Sequence, residues 1–253
     1  MRFKVRMLLL AGFLLPFPVL SAGPVFPAPF EAEYSLYSKG LKVAHIKRVF
    51  RSLEDGSYIY ESHSHPVGLL AVFRDDRIVE RSHWQQSENG FRPIKYIYEH
   101  SGSKKNRDVK IDFDWDKGKV RMQVNDNHWQ MDLETGTLDK MLYQLAVMRD
   151  LKHGREKFSY RIADGGKMKS YNFEALDHES VETPYGNFEA LKVERFRDDR
   201  ERETIFWCVQ ELDYLPVKVV NIEPDGLQTM ALLESYTSLP DTVPSTVTVE
   251  NRE

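Results

Sequence analysis

Phe30-Glu31-Ala32-Glu33-Tyr34-Ser35-Leu36 decides how this chain is read. Phe30, Ala32, Tyr34 and Leu36 fall on one side of an extended backbone and Glu31, Glu33 and Ser35 on the other, the period of two of a strand with one buried face. Lys39-Gly40 follows as a turn, Leu41 to Ser52 as a second strand, and Asp55-Gly56 as a hairpin signal before a third at Ser57 to Ser64. The alternation returns at Arg77 to Ser87, Arg92 to His100, Arg107 to Trp115, Lys119 to Val124 and His128 to Leu133. A second series covers Lys157 to Ala163, Lys169 to Leu176, Phe188 to Phe196, Glu203 to Val209, Pro216 to Ile222 and Leu227 to Tyr236. The fold class is therefore all-β: an antiparallel meander of about a dozen strands, too many to stay flat, curled into a barrel, half-barrel or spiral.

One segment departs from the period of two. Leu138, Met141, Leu142, Leu145, Ala146 and Met148 recur at spacings of three and four, which predicts a helix over 138–151 capped by Thr137. An amphipathic helix of that length is marginal alone in water, so its apolar stripe packs on the sheet or plugs an open end. Val67 to Phe73 reads as a shorter helical turn. The organisation is a single β-rich domain over 30–237, preceded by a Pro-rich, poorly ordered lead at 23–29 and followed by a mobile tail at 238–253.

Residues 1–22 read as a secretory signal, with Arg2, Lys4 and Arg6 ahead of the apolar run Met7 to Leu20 and small residues at the expected cleavage near Ala22. The run is shorter than the roughly 20 apolar residues a membrane-spanning helix needs. The expected location is the periplasm, and the mature chain is not an integral membrane protein. A pI near 6.1 and a net charge of -4 argue against a nucleic-acid partner, and cleavage, which removes three positive charges and takes the formal charge to about -7, works against adhesion to anionic membrane or lipopolysaccharide surfaces. The one cysteine, Cys208, cannot form an internal disulfide and lies in the apolar run Glu203 to Val209, where it reads as a small core side chain.

No reactive motif emerges. Asp112-Phe113-Asp114-Trp115-Asp116-Lys117-Gly118 resembles the start of a calcium loop, but its glycine falls one residue late and Gln123 stands where a bidentate Glu is needed. His63 and His65 share a strand face without a visible third ligand, so no metal is assigned. There is no Gly-x-Ser-x-Gly elbow, and Gly165-Gly166 precedes a polar strand rather than a helix, so no phosphate loop, catalytic residue or cofactor is assigned either. The aromatic residues say more. Strands such as Glu203 to Val209 are apolar on both faces, consistent with a filled core or with a curved sheet around an apolar ligand. Trp84, Tyr96, Tyr98 and Trp129 are the candidate ligand-lining residues.

Three segments, Thr183-Pro184-Tyr185-Gly186-Asn187-Phe188-Glu189-Ala190-Leu191-Lys192-Val193, Ile205-Phe206-Trp207 with Asp213-Tyr214-Leu215-Pro216-Val217-Lys218, and Leu227 to Tyr236, carry a family resemblance. With Arg92-Pro93-Ile94-Lys95-Tyr96 and the helix after Thr137-Leu138-Asp139, their order resembles the bacterial exported family catalogued as domain of unknown function 3108, over about residues 30 to 236. The resemblance implies a β-rich envelope protein of unassigned activity and brings no catalytic residues. Pro184 and Gly186 fit a turn between strands, Trp207 a core anchor, and Pro216 the first residue of a strand, where a missing N–H costs least.

The functional expectation is a non-enzymatic periplasmic protein that supports envelope biogenesis or integrity and binds an acyl chain, a lipid or an envelope protein partner. The alternative is a hydrolase of peptidoglycan or envelope polysaccharide whose carboxylates only the fold brings together. A pure adaptor, the third reading, would present an exposed apolar patch or a free sheet edge.

Overall fold

A computed structural model describes residues 26–68, 71–72, 75–88, 90–102, 106–196 and 203–241. The expected signal at 1–22 and the tail from 242 onward lie outside them, as does part of the expected helical turn at 67–73. The strands are β1 (Phe30–Ser38), β2 (Leu41–Ser52), β3 (Tyr58–Pro66), β4 (Arg77–Ser87), β5 (Gly90–Ser101), β6 (Arg107–Asp114), β7 (Lys119–Val124) and β8 (Asn127–Asp132). After them come β9 (Leu138–Asp139), helix α1 (Leu142–Lys152), β10 (Lys157–Asp164), β11 (Lys167–Thr183), β12 (Gly186–Phe196), β13 (Glu203–Val209), β14 (Leu215–Ile222) and β15 (Gln228–Ser238). All fifteen strands belong to one sheet, ordered β8-β7-β6-β5-β4-β3-β2-β1-β15-β14-β13-β12-β11-β10-β9. Neighbours pair antiparallel except β9 with β10. The class is all-β, as the alternation requires.

Local chemistry sets the hairpins. Lys39 and Gly40 both take positive φ, 50° and 76°, the pair of values that a two-residue type I′ turn demands. At the β11–β12 turn, Thr183 Oγ1 accepts the Gly186 N–H at 3.2 Å, leaving Pro184 and Tyr185 as the two-residue loop. The Tyr185 N–H then donates to the Leu233 carbonyl at 3.1 Å, strapping this long hairpin onto β15. β11 extends well past the expected 169–176, with a bulge between Ala175 and His178. Its added residues from Asp177 to Thr183 are polar apart from the buried Val181, so no apolar alternation marked them. Pro216 is the second residue of β14 rather than the first, and its carbonyl accepts the Tyr34 hydroxyl at 3.0 Å. Trp207 is buried, its N–H donated to Glu179 at 2.7 Å and its ring covered by the Lys218 ammonium at 4.1 Å.

The sheet coils past itself. β9 meets β5, and Asp139 on β9 accepts the Ser82 hydroxyl of β4 at 2.6 Å, so β6 to β8 run on beyond this seam. Trp129 of β8 lies over the β10–β11 turn, where a Cβ on Gly166 would sit 2.8 Å from the indole. Only glycine fits there, because Gly166 also holds φ at 87°.

The helix begins four residues later than its apolar spacing predicts. Leu138 and Asp139 are extended because they pair with Ile162 and Ala163, and a residue cannot serve both a strand ladder and a helix. Thr137 is consequently not the cap. Its buried hydroxyl has no hydrogen-bond partner among the described residues, while Asp139 Oδ1 accepts the N–H groups of Met141 and Leu142 at 2.8 Å each. The core also takes in Phe26, ahead of the expected start of the fold at Phe30. It is buried against Phe91 and Trp84 at ring distances of 4.7 and 5.5 Å.

Replacing Gly166 with Ala is expected to cost about 1–2 kcal/mol through the left-handed backbone alone. The measurement is the urea midpoint of Gly166→Ala, and adding Trp129→Ala should restore part of the loss by removing the indole it strikes.

Candidate functional site

Register assigns the inward face row by row. Phe30 pairs with Phe50, Phe50 with Tyr60, Tyr60 with Ser82, Ser82 with Tyr96, Tyr96 with Ile111, and Ile111 with Met122. Every member of this row is buried, and the row seals one end of the coil. α1 runs inside the sheet toward that end. Arg149 lies over the Phe91 ring at 5.0 Å, and Lys152 reaches Asp213 at 2.7 Å in the β13–β14 connection. Asp150 is buried beneath Tyr160, which donates to it at 2.7 Å. Burial and that carboxylate together push the Tyr160 hydroxyl far up.

Toward the other end, where β1, β3, β5, β12 and β14 finish, the inward residues are less covered. Leu36, Ile46 and Tyr98 are half-buried while packed against the core. Polar residues also enter here. Arg48, Ser62, Glu80 and Tyr98 occupy one cross-strand row, and Phe173, Arg195, Thr204 and Asn221 another. Arg48 donates to Gln144 on the helix at 2.7 Å and lies over the Tyr34 ring at 5.3 Å. Arg195 donates to Tyr143 at 3.2 Å and Thr204 at 2.6 Å, with its guanidinium 4.5 Å from the Tyr171 centroid. Neither arginine forms an ion pair among the described residues.

The interior carboxylates are engaged. Glu80 accepts the Tyr96 hydroxyl at 2.6 Å, and burial together with this carboxylate raises Tyr96 well above its ordinary value. Burial pushes Asp139 up to about 6, opposed by the Ser82 hydroxyl and the two helix N–H groups. Both of its oxygens are occupied, one by Ser82 and one by the helix terminus, which assigns it to architecture.

The four aromatic side chains singled out from the sequence do not converge. Trp84 is fully buried, stacked on Tyr58 at 4.5 Å and flanked by Phe91 at 4.8 Å, and its N–H has no partner among the described residues. Tyr96 is sealed in the buried row. Tyr98 faces the less covered end under the Lys140 ammonium at 5.9 Å, and Trp129 is 37% exposed on the overlapping edge. Of the four, only Tyr98 borders the half-covered interior.

Arg48 and Arg195 were missed. The signal was their parity: Arg48 alternates in phase with Ile46 and Phe50, and Arg195 with Leu191 and Val193, so each charge falls on an apolar face. The other sequence candidates settle as follows. Desolvation is the largest single influence on the Asp114 carboxyl and raises it, but the Lys117 N–H that it accepts and its pairing with Lys117 and Arg121 together hold it below the usual range. His65 packs against His45 across the strand pair at 5.3 Å. Cys208 is buried, and burial pushes its thiol far up. Among the described residues, no group of three or more His, Cys, Asp or Glu side chains is placed to hold a metal, and no helix is long and apolar enough to cross a membrane.

A coiled antiparallel sheet that nearly closes on itself around an internal helix belongs to the barrel-like class of β proteins. At the level of sequence, the family model "Protein of unknown function (DUF3108)" matches residues 33–232, and the chain belongs to that family. The crystal structure of a beta-barrel-like protein of domain of unknown function DUF1849 from Brucella abortus is similar in fold, with TM-score 0.56 and 9% identity over 86% of this chain and 100% of that one. A Bacteroides fragilis protein with a YmcC-like fold aligns over 84% of this chain and 98% of its own at 11% identity, with TM-score 0.32. The curated proteins contain no significant match.

Two outcomes are expected from these side chains. An unfolded aspartate titrates near 3.8, whereas folded Asp139 holds its proton up to about 6. Its contribution to stability is therefore complete below the lower value and lost as pH rises through the higher one. Asp139→Asn removes that dependence, so the melting temperature of the variant relative to the native protein should climb between about pH 4 and pH 7. Trp84→Ala should cost about 3–5 kcal/mol in chemical denaturation, as truncation of a fully buried aromatic does, with Trp129→Ala costing markedly less.

Proposed function

We propose that this protein is a non-enzymatic exported protein of the cell envelope whose coiled sheet serves as a cup for an acyl chain or lipid. One observation carries the reading. The inward face is sealed by aromatic residues at the end that α1 enters, yet Leu36, Ile46 and Tyr98, packed against the core, stay half-covered at the other end, so apolar surface is left open to a guest there. Half-covered apolar side chains inside a curved sheet lose contact energy unless a guest completes their packing. The mixed, net acidic surface keeps the cup in water, and the apolar run at Met7 to Leu20 behind three basic residues supports export to the periplasm. The interior carboxylates Asp139, Asp150 and Glu80 each accept hydrogen bonds from structural neighbours, which favours binding over acid–base chemistry.

The test is native mass spectrometry of the protein taken from the periplasm, beside displacement of a fluorescent fatty acid in vitro. Bound lipid mass that disappears in Ile46→Trp and Leu36→Trp, both folded by circular dichroism, supports the cup. A periplasmic protein without lipid mass that also ignores the fluorescent probe overturns it.

A further inference from the structure

Two guanidinium groups enter the interior of the coil from opposite stretches of the sheet, Arg48 from β2 and Arg195 from β12, and both reach consecutive residues at the start of α1. Arg195 is 8% exposed. All its described polar partners are neutral: the hydroxyls of Tyr143 and Thr204, the latter passed on to Asn221 Oδ1 at 2.8 Å. Arg48 is half-buried, with Gln144 and the Tyr60 hydroxyl as partners and Tyr34 beneath it, and the Glu80 carboxylate of its own cross-strand row acts on it electrostatically without forming an ion pair among the described residues. In each, Nε is buried and has no hydrogen-bond partner among the described residues. Elsewhere in the molecule, enclosed acids are met by arginines that reach them from more open positions. Arg149 and Arg155 hold Asp150, and Arg51 and Arg81 hold Glu61. The two interior arginines stand apart from that pattern.

A cation taken from water into an apolar interior costs several kcal/mol unless an anion compensates it. A guanidinium offers its N–H groups as a planar fork matched to two oxygens of a carboxylate or phosphate, and here Nε is the member of each fork left open. Neutral hydroxyls and the faces of Tyr34 and Tyr171 hold the two side chains in place without discharging them. Held, charged and partly unsatisfied donors are the arrangement of an anion receptor before its anion arrives.

We propose that Arg48 and Arg195 form an anion subsite at the floor of the cup, so that the ligand is an amphiphile which enters with its carboxylate or phosphate head leading and leaves its apolar chain against Leu36, Ile46 and Tyr98. This rests on the reading of the interior as a binding cup and adds the polarity of the guest and its orientation.

The experiment is isothermal titration calorimetry of the mature chain with three probes of equal chain length: dodecanoate, dodecyl phosphate and dodecanol. At least one anionic probe is expected to bind about tenfold or more tightly than dodecanol, as charge-assisted hydrogen bonds require. Which one wins identifies the head group. Arg195→Gln and Arg48→Gln should each bring the anionic probe down to the affinity of dodecanol while leaving dodecanol unchanged, and Arg195→Lys should keep part of the preference. If either Gln variant fails to fold, the salt dependence of dodecanoate binding by the native chain replaces it, with affinity expected to fall as ionic strength rises. Equal affinity for all three probes, or a preference that survives both Gln substitutions, overturns the subsite and leaves the cup standing. Failure of every probe to bind overturns the cup and the subsite with it.

Discussion

The coil depends on one carboxylate. Asp139 sits at the free margin of the sheet, on a strand of two residues, and takes three hydrogen bonds: two from the first N–H groups of α1 and one from Ser82 on the far side of the seam. It thereby fixes the direction of the helix and the overlap of the sheet in one place. A buried acid is a costly way to do this, since desolvation opposes its charge. The cost is offset because the donors it receives are themselves buried groups that would otherwise go unpaired. Without that link the helix would have no anchored start and the coil no defined circumference.

Most of the sheet was legible because its strands are long, alternate cleanly and are separated by turns with glycine or aspartate at the bends. Leu41 to Ser52, Arg77 to Ser87, Lys119 to Val124 and Glu203 to Val209 lie where the period of two puts them. What stayed hidden has physical causes. Two residues cannot display a period, so β9 merged into the helical spacing of Leu138, Met141 and Leu142. The polar tip of β11 is held by the strap from Tyr185 to Leu233, a tertiary contact that leaves no local trace. Phe26 looked like part of a loose lead because three prolines surround it, yet its ring finishes the packing around Trp84. For the candidate site, aromatic content pointed to Trp84 and Tyr96, which close the floor. The charged side chains that enter the interior, Arg48 and Arg195, are of a type that composition counts as surface.

Family membership and fold now agree on architecture and leave activity to the site. The coil divides its interior by chemistry. One end is paved with rings and stoppered by α1, and the other mixes half-covered aliphatic side chains with two held cations. That division is what an enclosed guest with a charged end and an oily end would need, and it arises from strands whose outer faces are ordinary. Trp207 and Pro184, prominent in the sequence, maintain the wall, as does Pro216, whose carbonyl takes the Tyr34 hydroxyl from the inside.

The overlap at the seam has one further implication. A closed barrel has its girth fixed by strand number and stagger, because every neighbouring pair is locked by backbone hydrogen bonds. Here the last turn of the coil is held by side chains: a serine on an aspartate, a tryptophan resting on a glycine, a lysine over a tyrosine. Such a wall is a cuff rather than a ring: its bore is set where side chains clasp one lap to the next, so a single substitution at the clasp acts on the girth while every ladder stays intact.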